Sequence, residues 1–223
     1  MAFGPIMRFK VGDIAIELAP IPRDSAGEFI ANGGMQTHTV TKFLGRRLAP
    51  VLEDEYDWYD KIRTQQDSVI WGIWDVTKDE RILIGSSSLH NIEGEHFRQA
   101  TSGSMIHRSE YWNKGIARAA HKARTWFGFT QLGLTRIKSA VIVGNIASQR
   151  ALEGSGYSRV YIERNEHFVN GTFHDQLCLE CLNPDPQFWD RWWGGCRPTK
   201  LSLSARDRTI ASLQWAKNNV TLL

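Results

Sequence analysis

Two β-rich runs, Gln99 to His107 and Arg136 to Val143, flank one segment with a strong helical period, and this arrangement constrains the chain most. After Gly115, residues Ile116, Ala119, Ala120, Ala123 and Phe127 recur at helical spacing until Gly133 closes the pattern. A second short helix is expected from Asn145 to the glycine at Gly156. A hairpin then joins Tyr157–Val169 to Phe173–Leu182 around Asn170-Gly171, a strong turn pair. Upstream, Asp13 to Leu18 alternates as a first strand, and a short helix runs from Pro22-Arg-Asp-Ser25 to the Gly33-Gly34 stop. A second helix covers Val51 to Gln65, with Leu52, Tyr56, Tyr59 and Ile62 on one face and Glu53, Asp57 and Asp60 on another. Ser68–Val76 and Arg81–Leu89 read as strands separated by Thr77–Glu80. The order predicts an α+β fold: a mixed sheet of about seven strands with about four helices, two of them crossovers, and no internal repeat.

Beyond Asn183-Pro-Asp-Pro186 the composition changes. Trp189, Trp192, Trp193 and Gly194-Gly195 precede an expected helix from Ser204 to Lys217. We therefore expect one domain over 1–183 and a C-terminal helical appendage over 184–223, since 223 residues suffice for one well-buried domain but not two. A net charge of +3 does not by itself argue for nucleic acid. No apolar run approaches the ~20 residues of a membrane span, and the N-terminus lacks a secretory pattern, so a cytoplasmic protein is expected. Cys178 and Cys181 have metal-knuckle spacing, but no second pair accompanies them, so no metal site is expected and the thiols read as reduced.

The segment Trp112-Asn-Lys-Gly-Ile-Ala117 lies between a strand and a helix. The first turn of a helix has backbone N–H groups without intrahelical partners, and its dipole is positive there. That arrangement suits a phosphate or pyrophosphate. Gly115 lets a ligand approach the backbone, Ala117 keeps the next turn narrow, and Lys114 and Arg118 add charge. Some thirty residues later, Asn145-Ile-Ala-Ser148 opens a helix that ends Leu152-Glu-Gly-Ser-Gly156-Tyr157.

Together these motifs resemble the GNAT acetyltransferase superfamily, and within it the branch of ribosomal-protein N-terminal acetyltransferases. Trp112-x-x-Gly115-x-Ala117 matches the family's loop, Tyr111-Trp-Asn-Lys-Gly115 the branch, and Asn145, Ser148, Leu152-Glu153 and Gly156-Tyr157 the later motif. Element order agrees over Val11 to Leu182, and the specific motifs lie within Gln99–Tyr157. The resemblance implies a splayed sheet with acetyl-CoA as cosubstrate wedged between the strand before the loop and the strand after the helix. Carried over by position, backbone groups near Ile106 and Arg108 would hold pantetheine. The loop Asn113, Lys114, Gly115, Ile116, Ala117 and Arg118 would bind pyrophosphate, and Asn145 would touch the pantetheine arm.

The implied reaction is attack of a neutral amine on the thioester, with an oxyanion stabilised by backbone N–H groups and a thiolate that takes up a proton. Many family members carry a Glu base where this chain has Ser102, and a Tyr acid where it has Leu152. Ser148 is then the candidate acid and His107 a candidate base, with Ser102 or a water relay as alternatives; a helix cap and a packed imidazole are the competing roles for Ser148 and His107. The acceptor would be a small-molecule or peptide amine, bound between Ser25 and Gln65. Glu53, Asp54, Glu55, Asp57 and Asp60 could attract a cationic amine, or form a solvated face. Trp58, Tyr59, Trp71 and Trp74 could form an aromatic cage, although Trp71 has the period of a core strand. Two other readings remain beside this one: an acyl-CoA-binding sensor or interaction module, and a nucleotide-phosphate binder, which lacks the full Gly-x-x-x-x-Gly-Lys-Ser/Thr loop. Arg191, Arg197, Lys200, Arg206 and Arg208 could dock a larger acceptor such as DNA or a protein, and a homodimer is compatible with the resemblance.

Overall fold

A computed structural model describes residues 2–45 and 48–223. The chain opens with a hairpin, β1 (Met7–Val11) and β2 (Ile14–Ala19), followed by two 3-10 turns, Arg23–Phe29 and Ala31–Gly33. Then come α1 (His38–Thr41), α2 (Leu52–Ile62), β3 (Val69–Asp75), β4 (Ile82–Glu93), β5 (Gln99–Ile106) and α3 (Ile116–Thr130). β6 (Arg136–Ile142), α4 (Ile146–Glu153), β7 (Ser158–Val169) and β8 (Thr172–Leu182) follow, and the chain ends with α5 (Pro186–Trp193), α6 (Lys200–Asn219) and β9 (Thr221–Leu222). The sheet order is β7-β8-β6-β5-β4-β3-β2-β1-β9. Among the named strands of the described residues, only β5 and β6 pair in parallel, as a strand–helix–strand crossover requires.

Each sheet face carries its own core. Ile16, Leu18, Trp71, Ile73 and Ile84 pack against Ile116, Ala119, Ala120, Ala123 and Phe127 of α3. The alternate positions Ile70, Trp74 and Leu83 pack with Phe29, Met35 and Ile62 beneath α2. Side chains alternate across a strand, so one sheet separates an α3 face from an α1/α2 face. Cys178 and Cys181 lie three residues apart on β8 and so point to opposite faces.

Two strands exceed the expected seven. β1 alternates buried Met7 and Phe9 with exposed Arg8 and Lys10, and turns at Gly12 with φ +57°. The expected strand start at Asp13 therefore falls in the turn. β9 is two residues that pair with β1, an assignment no local pattern carries. The expected Pro22–Gly33 helix is two 3-10 turns, with Gly27 inside the first and no side-chain cap at Pro22. α5 was not expected, yet Asp185 caps the Gln187 N–H at 3.0 Å and Pro186 takes the first turn, where its missing N–H costs nothing. α6 begins four residues before the expected Ser204, because Thr199 caps Ser202.

The C-terminal extension folds back over α3. Trp215 meets Phe9 edge-on at 5.9 Å, and Arg208 donates to the Glu153 carbonyl at 2.8 Å. Arg206 donates to the Pro184 carbonyl and lies over Trp189, so it and Arg208 are internal staples, not free docking cations. Gly156 is where this appendage meets the later sequence motif. Its φ is +106°, and a Cβ there would sit 2.1 Å from Thr209 Oγ1 and 2.8 Å from the Thr209 backbone. Replacing Gly156 with Ala should therefore cost about 2–4 kcal/mol, through overpacking against helix backbone and a left-handed φ. Denaturant unfolding monitored by circular dichroism checks this; a change under about 0.5 kcal/mol would mean that α6 does not press on Gly156 in solution.

Candidate active site

The parallel pairing of β5 with β6 covers only Gln99–Thr101 and Arg136–Lys138. Beyond it β5 continues against β4 to Ile106, and β6 continues against β8 to Ile142. The two strands have separated, and each leaves an open edge. The His107 N–H donates to the Ile84 carbonyl at 3.0 Å. By alternation, the backbone groups of Ser102, Ser104 and Ile106 then face the gap. The Ile106 carbonyl there accepts the Trp112 indole N–H at 2.9 Å.

A cavity of about 290 Å³ fills the gap; Ser102, His121, Arg124, Ser139, Asn145 and Ser148 are among its lining residues. A second cavity of about 250 Å³ lies on the α1/α2 face, between Phe29, Glu55, Trp58, Ser86, His90 and Met105. Leu44, Gly103 and Ser104 line both. The two cavities therefore share one stretch of the open β5 edge, and Phe43 and Leu44 after α1 also border the first.

The loop ahead of α3 is held by three contacts. Trp112 donates to Ile106, Tyr111 donates to Asp75 Oδ2 at 2.8 Å, and the Lys114 ammonium lies 5.3 Å from the Tyr111 ring centroid. Burial and the Asp75 bond push the Tyr111 phenol up to about 12, so it stays a donor. Asn113 (φ +59°) and Gly115 (φ +82°) bend the chain into α3, where Gly115 supplies no side-chain cap. The N–H groups of Ile116, Ala117 and Arg118 thus open the helix without a capping side chain, as an anion site needs. Arg118 leans along Gly154 at the end of α4.

At α4 the Asn145 side chain accepts from the Ser148 N–H at 3.3 Å. The cap thus uses Asn145 Oδ1 and the Ser148 backbone, which leaves the Ser148 hydroxyl out of the cap while Ser148 lines the cavity. His107 is placed elsewhere: it is buried against Phe29, 5.1 Å between ring centroids, and lines neither cavity. Burial, with Arg108 beside it, lowers its pKa to about 4. Its position speaks for the packed-imidazole role. The Arg108 side chain donates to the Leu83 carbonyl at 3.0 Å and reaches Glu28, and its carbonyl accepts from Tyr111, so Arg108 acts as a brace for the loop.

Of the acidic set on α2, Glu55 turns inward, buried, into the second cavity. Asp54 caps the Val51 N–H, and Asp60 pairs with Arg23 and Arg63. The expected helix faces are rotated, with Leu52 exposed and Glu55 and Ile62 buried. Of the proposed cage, Trp58 lines the cavity; Trp71 and Trp74 are core, and Tyr59 stacks on Phe3. Three cavity residues had not been singled out: His90, His121 and Arg124. A charged Arg124 beside Ala120 and Ala123 on the core stripe of α3 was the signal available for it.

Residues 16–158 match the family model described as acetyltransferase (GNAT) domain. The uncharacterised N-acetyltransferase YoaA of Bacillus subtilis is 29% identical over 148 residues, covering 65% of this chain and 81% of that protein. Spermidine N-acetyltransferase from Vibrio cholerae, solved with CoA and spermine, superposes with a TM-score of 0.65 at 22% identity, covering 77% of this chain and 96% of that one. Mycobacterium smegmatis RimJ, solved with CoA-disulfide, superposes with a TM-score of 0.69 at 16% identity, over 99% of this chain and 97% of that one. These two structures share the fold.

The cap geometry separates two neighbouring substitutions. Asn145→Ala should lower stability by about 1 kcal/mol, the usual cost of a lost cap. Ser148→Ala should leave the melting temperature unchanged, because its backbone N–H stays in place. Thermal unfolding of the two variants side by side checks this, and equal losses would put the Ser148 hydroxyl back in the cap.

Proposed function

The chain belongs to the acetyltransferase (GNAT) domain family, and from that premise we propose that it carries an acetyl group from acetyl-CoA to a primary amine by direct attack on the thioester. The acceptor class is a polyamine-like or aminoglycoside-like molecule or a peptide N-terminus. The observation that carries this reading is the meeting of two cavities at Gly103–Ser104. A donor entering along the α3 face and an acceptor entering along the α1/α2 face would reach the same strand edge. Residues 1–183 are the catalytic unit in this reading, and 184–223 its extension.

The residue roles follow from position. The first turn of α3, with Lys114, Gly115, Ala117 and Arg118, takes the pyrophosphate. The open edges of β5 and β6 hold the pantetheine, with Asn145 beside it. A Ser104 N–H on that edge faces the oxyanion that forms as the amine nitrogen bonds to the carbonyl carbon. The C–S bond then breaks, and Ser148 donates the proton that the thiolate needs. On the acceptor side, Trp58 suits a cationic chain, in keeping with the spermine found in the Vibrio neighbour.

His90 replaces His107 as the proton acceptor. It lines the acceptor cavity, with Nδ1 3.3 Å from Ser68 Oγ. Burial first, then the Arg124 charge, lowers its pKa below the ordinary 6.5. The imidazole is therefore neutral at pH 7, and it loses its capacity as a base only as pH falls through that lowered value.

Purified protein should release thiol from acetyl-CoA when spermidine or an N-terminal peptide is added. Release with none of a panel of amines would leave the sensor reading standing. Gly115→Val should abolish acetyl-CoA binding. A Cβ at Gly115 meets only Val11 Cγ1 at 3.7 Å, so the cost to the fold is the positive φ, about 1–2 kcal/mol. Wild-type affinity in this variant, read by calorimetry, would show that the loop holds no pyrophosphate. Ser148→Ala should lower kcat by roughly ten- to a thousandfold, and His90→Ala by about a hundredfold with loss of the acid limb of the pH profile. An unchanged limb in the His90 variant assigns it to another group.

A further inference from the structure

The donor cavity has a polar floor that the transfer of an acetyl group does not use. Arg124, on the third turn of α3, is fully buried, and its guanidinium donates to the Gly103 carbonyl at 2.8 Å, to Ser87 Oγ at 3.2 Å and to the Tyr157 hydroxyl at 3.4 Å. All three acceptors are neutral oxygens. A buried cation without a counter-charge is costly, and chains retain one where an anion completes it or where function needs it. Arg124 Nε, Ser102 Oγ and His121 Nδ1 are all buried and have no hydrogen-bonding partner among the described residues. All three residues line the donor cavity.

The rest of the lining points the same way. Among the described residues, four serines, two histidines, Asn145 and Gln176 line the space, and no Asp or Glu does. The depth is also fitting. An α-helix rises about 1.5 Å per residue, which puts Arg124 about 13 Å along α3 from Gly115. A pantetheine arm anchored at that loop delivers its thioester at a comparable depth. An acetyl methyl group offers nothing to a guanidinium, an imidazole N–H or a hydroxyl.

We propose that this cavity accepts acyl-CoA donors whose acyl chain ends in a carboxylate, of the succinyl type, with Arg124, His121 and Ser102 receiving the carboxylate. The proposal rests on the assignment of the cavity as the donor site. A carboxylate there gains charge-assisted hydrogen bonds from groups already fixed by packing, at little ordering cost. The reaction is the same displacement. The amine nitrogen bonds to the thioester carbonyl carbon, the C–S bond breaks and its electrons leave as the CoA thiolate. The amine gives up one proton and the thiolate takes one, so the products are an N-acyl amide that keeps its free carboxylate and CoA.

Binding tests this without knowledge of the acceptor. Dissociation constants of acetyl-CoA, butyryl-CoA and succinyl-CoA are measured by calorimetry on the whole protein; butyryl has the chain length of succinyl without the charge. Succinyl-CoA should bind at least about tenfold tighter than butyryl-CoA, which is about 1.4 kcal/mol. Arg124→Met and Ser102→Val should each shrink that preference severalfold, read as the ratio of the butyryl-CoA to succinyl-CoA dissociation constants within the same variant. If Arg124→Met does not fold, Ser102→Val and the wild-type comparison decide. Succinyl-CoA binding no tighter than butyryl-CoA, or a preference that survives both substitutions, overturns the proposal while leaving the acetyl donor site intact. Failure of acetyl-CoA itself to bind removes the donor-site reading, and this proposal with it.

Discussion

Most of what is distinctive in this fold depends on the short parallel pairing between β5 and β6, three residues on each strand. Up to Thr101 and Lys138 the two strands form one sheet. Past that point each remains paired only on its outer side, and the backbone groups on the inner side face a gap. Unpaired strand edges are normally a hazard that proteins cover or shorten. Here the edges border two cavities instead of a further strand.

The gap persists because its surroundings are braced independently. Trp112 ties the loop back to Ile106, Tyr111 ties it to Asp75, and Arg108 reaches across to Leu83 and Glu28. On the far side, Arg124 fastens α3 to β4, β5 and Tyr157. Tyr157 follows Gly156, against which the C-terminal helix packs through Thr209. The extension thus supports the motif that ends α4, a coupling between distant parts of the chain.

Charge is divided by the sheet. Among the described lining residues, the first cavity has Arg124 and no carboxylate, whereas the second has Glu55 and no Lys or Arg. In the proposed reading an anionic coenzyme would meet the Arg124 wall, and the strand edge shared by the two cavities is where it would react with the amine.

The crossover helix, its flanking strands, the hairpin at Asn170-Gly171 and the loop at Gly115 were all legible in the sequence. Each is written in local terms: a helical or strand period, a turn pair, and a glycine at positive φ. The family resemblance likewise lay in contiguous motifs. Which polar groups reach the cavities was not legible in the same way. Glu55 reads as one more acid on a solvated helix, and only the angle at which α2 docks turns it inward and Leu52 outward. His107 adjoins the loop in sequence, yet strand alternation and the packing of Phe29 carry it away from the gap. His90 reaches the second cavity through the register of β4 against β5, and β9 exists only because α6 brings it to β1. The sequence by itself determined the crossover helix, its flanking strands, the Asn170-Gly171 hairpin and the glycine loop ahead of α3, because those follow from short-range periodicity and backbone geometry. The tertiary structure decided the chemistry of the two cavities, because helix rotation and strand register are set by packing between residues far apart in the chain.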